Sequence, residues 1–101
     1  MKVLLMIERE TFKDEDRRKK YYEHMDKFTP IWEKKHEGVK FKSLGGWSDQ
    51  PGCVVTMAEY ESMEEFSKVW SDEEFQKELL KHRNLVETMK IRIMRPTVSV
   101  R

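Results

Sequence analysis

A single cysteine, Cys53, stands among 101 residues. No intrachain disulfide can form, so the fold must rest on burial, as suits a reducing, cytoplasmic setting. Glycine numbers 4 and proline 3, which excludes a loop-rich or low-complexity chain. No phosphate-binding loop, nucleophile elbow or dinucleotide fingerprint occurs, so no nucleotide cofactor is expected. No apolar run approaches the ~20 residues of a membrane helix. Residues 3–7 are too short for a secretory leader and no small-residue cleavage site follows. An excess of one charge is also missing: Lys plus Arg number 20 and Asp plus Glu 19, a net charge of +1. That leaves no global pull toward nucleic acid or an anionic membrane. With one cysteine and no paired histidine spacing, no metal is expected either. Asn occurs once (Asn84) and Gln at Gln50 and Gln76 only, while 39% of residues are charged. Dense ion pairing with few labile amides points to a thermophilic source.

What is present suffices for one domain over residues 1–101: 38% of the chain is hydrophobic and 11% aromatic. Residues 3–7 (VLLMI) form an apolar run of strand length. Tyr21, Met25, Phe28 and Trp32 then fall on one helical stripe. Pro30 interrupts it, so Thr29 can cap a second helix there, with one kinked helix as the other reading. Gly38 suits the C-terminal cap. Residues 39–44 (VKFKSL) alternate like an edge strand, with Gly45 and Gly46 marking a bulge. A turn cluster at 48–52 precedes a second apolar strand from Cys53 through Tyr60. Capping boxes at Ser62/Glu65 and Ser71/Glu74 open two further helices. Residues 88–94 (TMKIRIM) alternate again, and residues 97–100 form a short added strand or a tail.

This order is β-α-β-β-α-β, which predicts an α+β, ferredoxin-like sandwich. Its antiparallel sheet carries helices on one face. Right-handed crossovers place the first and third strands centrally. Both central strands are apolar on both faces, yet helices cover only one. A second copy of the sheet would cover the other, giving a homodimeric α+β barrel.

Met6-Ile7-Glu8-Arg9, residues 43–47, Cys53 with Met57, Trp70 and Arg95-Pro96-Thr97-Val98 resemble the dimeric α+β barrel superfamily, close to a family of short uncharacterised members. The resemblance implies an apolar cavity between sheet and helices. It admits cofactor-independent monooxygenases, haem-degrading enzymes, peroxidase-like enzymes and small isomerases. In the family pattern an acidic residue follows the third-strand methionine. Ala58 stands there instead, with Glu59 one place on. Haem degradation is rejected: the first strand lacks the required Asn, and Leu79 stands where a His would fall.

Glu8, at the end of a buried strand, and His82, near a helix end, are the candidate proton carriers. Their bland readings are an ion pair at a strand end and a cation favoured by the helix dipole. Trp47, Tyr60, Met57 and Arg92 are the candidates to hold a ligand. Lys40, Lys42, Lys90 and Arg92 read as the polar faces of the edge strands, able to meet an acidic ligand or simply to block edge aggregation. Glu33–His36 has di-iron spacing, but no second such motif accompanies it. Glu78–His82 reads as an i,i+4 helix pair. Cys53 reads as a small buried apolar residue. Trp32 and Trp70 read as core. The expectation is a homodimer binding a small aromatic or acidic organic molecule, acting as a cofactor-independent monooxygenase or isomerase. The alternative is a non-catalytic interaction module whose cavity is filled by its own side chains. The discriminating feature is whether that space is open or packed.

Overall fold

A computed structural model describes residues 2–47 and 51–96. The elements run β1 (Val3–Glu10), α1 (Glu15–Lys35), β2 (Phe41–Trp47), β3 (Cys53–Tyr60), α2 (Met63–Trp70), α3 (Glu73–Arg83) and β4 (Thr88–Met94). The sheet has four strands in the order β2-β3-β1-β4, and every neighbouring pair is antiparallel. The apolar strands are thus central and the alternating ones lie at the edges, as expected.

Strand alternation decides which side chains meet the helices. On β1, Val3, Leu5, Ile7 and Arg9 form the buried set, continued by Thr11 just past its end, and on β3 it is Thr56, Ala58 and Tyr60. Phe28 and Trp32 from α1, Phe66 and Val69 from α2, and Phe75 and Leu79 from α3 complete the core against them. Trp32 is core, as read, and Trp70 packs against the core half-buried. Aromatic rings dominate this layer: Phe28 lies 5.8 Å from Phe75, and Trp32 6.1 Å from Phe75.

Among the described residues nothing covers the opposite sheet face. Leu4, Met6 and Glu8 of β1 lie here beside Cys53, Val55 and Met57 of β3, all half-buried. Lys90, Arg92 and Met94 of β4 stand opposite Glu8, Met6 and Leu4. Cys53 is therefore half-buried on the open face and not a core residue.

Local chemistry corrects several expected boundaries. Helix α1 runs unbroken through Pro30, so Thr29 caps no second helix. The Thr29 hydroxyl instead donates to the Met25 carbonyl at 2.7 Å, within the same turn. Asp72, not Ser71, caps α3 by accepting from the Phe75 amide at 2.9 Å. Ser71 is the C-cap of α2. Gly38 adopts φ +84, two places past the C-cap His36. The Gly45–Gly46 pair coincides with the register shift between Ser43 and Trp47 in β2. Lys42 pairs in register with Ala58, a helix-side residue, so it does not share a face with Lys90 and Arg92. The turn at 48–50 and the C-terminal residues 97–101 lie outside the described residues.

Candidate functional site

At the end of the interlayer space, polar groups replace the aromatic packing. Arg9 occupies the inward phase of β1, after Val3, Leu5 and Ile7, and is only 3% exposed. Its Nη1 donates to His82 Nε2 at 3.1 Å, and its Nη2 donates to the Thr56 hydroxyl on the neighbouring strand. Helix α3 brings in His82, fully buried, and α1 brings in His24 and Tyr21. The His82 ring sits 5.3 Å from Tyr21, 5.5 Å from His24 and 5.2 Å from Phe28.

The proton arrangement follows from the donors. A guanidinium only donates, so His82 Nε2 must accept, and the neutral ring carries its proton on Nδ1. That Nδ1–H is buried without a partner, and so are Arg9 Nε and His24 Nε2. These are the unpartnered buried side-chain atoms among the described residues, and all fall in this cluster. Each such group ordinarily costs about 1–3 kcal/mol, so their convergence marks a place built to meet something polar.

Burial is the leading electrostatic influence. It lowers the Arg9 pKa, and among the described residues no carboxylate lies within ion-pair distance of the guanidinium. It drives His82 down to about 3, with Arg9 and His24 adding repulsion. His24 is also lowered, mainly by burial, against the opposing pull of Glu78. The Tyr21 hydroxyl is pushed up by burial and drawn partly back by Arg9. At neutral pH the cluster therefore holds one positive charge on Arg9 beside neutral imidazoles.

A cleft of about 320 Å³ opens at this end of the sheet, lined by Thr11, Phe12, Arg18, Gly52 and Glu87 among others. Thr11, buried just past the end of β1, lies two places after Arg9, so the cleft is at the same end of the sheet as the cluster.

The sequence-derived candidates divide between the two sheet faces. His82 lies at the heart of the cluster. Glu8 lies on the open face, opposite Lys90 and Val55, and does not join His82. Met57 and Arg92 are on that open face too, away from the space between sheet and helices; Arg92 is exposed. Trp47 ends β2 in register with Val55, and its side chain is outside the described residues. Tyr60 faces the helices, fully buried, with its hydroxyl engaged by His36. The expected Glu78–His82 pair is replaced: the Glu78 carboxylate meets Lys81 Nζ at 3.2 Å. Lys42 donates to the His36 carbonyl at 2.8 Å, and Lys40 pairs with Glu61 at 3.6 Å.

Sequence reasoning missed Arg9, Thr56 and His24. Two had a readable signal. Arg9 continues the two-residue phase of Val3, Leu5 and Ile7, where a charge is out of place. His24 lies on the Tyr21–Phe28 stripe at helical spacing. Thr56 gave none.

No protein-family model matches the chain, and no match emerges among characterised proteins compared by sequence. Solved structures do resemble it. SnoaB, a cofactor-independent oxygenase from Streptomyces nogalater, superposes with TM-score 0.69 at 11% identity, covering 98% of this chain and 96% of its own. Rv0793 from Mycobacterium tuberculosis gives TM-score 0.72 at 14% identity over 100% of both chains. A dimeric ferredoxin-like protein from an uncultured marine organism gives 0.63 at 20% identity, covering 99% of this chain and 97% of its own. At these identities the likeness shows a fold, the ferredoxin-like α+β fold shared with dimeric ferredoxin-like proteins and antibiotic-biosynthesis-type monooxygenases.

Proposed function

We propose that the protein is a homodimeric α+β barrel that binds a small acidic organic molecule between sheet and helices and acts on it without a cofactor. The observation carrying this reading is the convergence of Arg9, His24 and His82, each with a buried atom lacking a partner. An acidic group supplies the missing counter-charge to Arg9. Tyr21 and Phe28, packed on His82, offer ring surfaces for an aromatic body. His82 Nε2 is the proton acceptor. Taking a proton from an acidic C–H leaves a carbanion. With dioxygen as co-substrate, an activated methylene becomes a carbonyl and one water is released. Reprotonation at another carbon is isomerisation. The fold shared with a cofactor-independent oxygenase supports the class and does not choose the substrate.

Dimerisation is proposed on the uncovered apolar sheet face, where Leu4, Met6, Val55, Met57 and Met94 cluster. Dimeric relatives of the same fold support it.

A second reading, a packed non-catalytic module, is favoured by the aromatic filling around Phe28, Trp32 and Phe75. Thermal melting with benzoate, salicylate and 2-naphthoate separates the two. The proposal expects the melting temperature to rise with at least one acid in the wild type and not in Arg9→Met. No response to any of them supports the packed module.

A further inference from the structure

The resting geometry poses a problem for a base at His82. Its accepting nitrogen, Nε2, is occupied by Arg9 Nη1 at 3.1 Å. A nitrogen already receiving a hydrogen bond from a cation is a poor proton acceptor. Both groups are more than nine-tenths buried, and Arg9 has a further unpartnered donor, Nε. That Nε is a donor an anion can meet while Arg9 stays on its strand.

We propose that a carboxylate docking on Arg9 draws the guanidinium away from His82 and turns that imidazole into a working proton acceptor. The inference rests on the acidic-ligand reading above and adds how the ligand itself switches the base. Charge conservation supports it. The empty cluster holds +1 on Arg9. A carboxylate on Arg9 together with one proton on His82 again sums to +1, so the buried site never gains a net charge. His82 Nδ1–H remains a donor throughout, free to hold a second oxygen of the ligand.

Groups facing His82 from each packed element enter the balance. Arg9 from β1 opposes its protonation, and so does His24 from α1. Tyr21 of α1 contributes a neutral ring whose hydroxyl stays protonated, and Phe28 contributes an apolar one. Thr56 of β3 does not titrate. On α3 itself, Glu78 and Lys81 act on His24 with opposite signs, as Lys27 of α1 does with the sign of Lys81. Burial is the largest influence against protonation, and Arg9 comes next, the one that a carboxylate can cancel directly.

Benzoate serves as the probe. Its binding is followed by titration calorimetry at about pH 5, where neutral imidazole is the resting form of a buried histidine. Two non-carboxylate buffers of different protonation heat are used, and the His82 ring signals are monitored by NMR. The expected result is a buffer-dependent heat corresponding to proton uptake, with the His82 signals moving to the imidazolium position. In the wild type alone, benzoate that perturbs Arg9 and His82 but brings no proton uptake overturns the switch and leaves the acidic site standing. Benzoate that perturbs none of Arg9, His24 and His82 overturns both. His82→Gln, which keeps an acceptor for Arg9, is expected to bind benzoate with the proton uptake abolished. Uptake that persists in His82→Gln places the proton elsewhere and overturns the assignment.

Discussion

The Tyr60 hydroxyl lies 2.6 Å from His36 Nε2, tying the last residue of β3 to the C-cap of α1. His36 Nδ1 donates to the Trp32 carbonyl at 2.7 Å, so Nε2 is the acceptor and Tyr60 the donor. Trp32 stacks on the same imidazole with ring centres 3.9 Å apart. Burial holds His36 down at about 4 and raises the Tyr60 hydroxyl above its ordinary value. This pair is a fully satisfied polar lock, in contrast to the unsatisfied cluster around Arg9.

Tyr60→Phe keeps the ring and strands a buried acceptor on His36. The expected loss is about 1–3 kcal/mol. It reads as a lower urea midpoint with an unchanged slope. An unchanged midpoint would mean that water reaches His36 and that the lock is not sealed.

Arg9→Met has the opposite expected sign. It removes a buried charge with no carboxylate partner and substitutes an apolar chain of similar reach. Replacing a buried ion pair by hydrophobes often stabilises by about 1–4 kcal/mol. Relief of the unpaired Arg9 charge works in the same direction and is offset in part by the His82 Nε2 acceptor left without its donor. A higher melting temperature together with lost acid binding marks Arg9 as kept for function. A large drop in melting temperature would make it a structural residue.

Acid should weaken the fold from the histidine range downward. His36 and His82 titrate at about 4 and about 3 when folded, against 6.5 for the free side chain. Between those values the unfolded chain binds more protons, so stability rises with pH and is lost as pH falls below about 6.5. Tyr60 and Tyr21 work at the other end. Their folded pKa values are raised above 10.0, so stability is lost as pH climbs past that value. Urea midpoints measured across pH would show a plateau between the two limits. A midpoint flat from neutrality down to pH 4 would contradict the buried neutral imidazoles.

Met6 and Met57 are cross-strand partners on the open sheet face. Met6→Lys places a charge at the centre of the proposed dimer contact, without touching the helix-side core. Sedimentation is expected to show the wild type as a dimer and the variant as a monomer. A monomeric wild type would remove the barrel.

Much of this architecture could be read along the chain. Apolar runs mark β1 and β3, and alternation marks β4. The Tyr21–Trp32 stripe marked α1, and Ser62 was a true cap. The failures were local and have physical causes. Pro30 reads as either a break or a kink within one helix, and the single helix is what forms, carried across a missing amide hydrogen bond by its neighbouring contacts. Ser71 and Asp72 are adjacent residues able to cap, and only the path of the chain decides which side chain reaches the Phe75 amide.

The order of elements, the central strands and the apolar face that the helices leave open are legible along the chain, because they follow from periodicity and hydrophobicity repeated over many residues. The site is a product of packing. Arg9, Thr56, His24 and His82 come from four separate elements, and their meeting depends on strand register and helix rotation. A one-residue slip of β1 would send Arg9 to the open face and turn Glu8 inward, and a rotation of α1 or α3 would carry His24 or His82 away from it. No local pattern encodes that juxtaposition, so Glu8 and His82 looked equivalent along the chain although the sheet holds them on opposite sides.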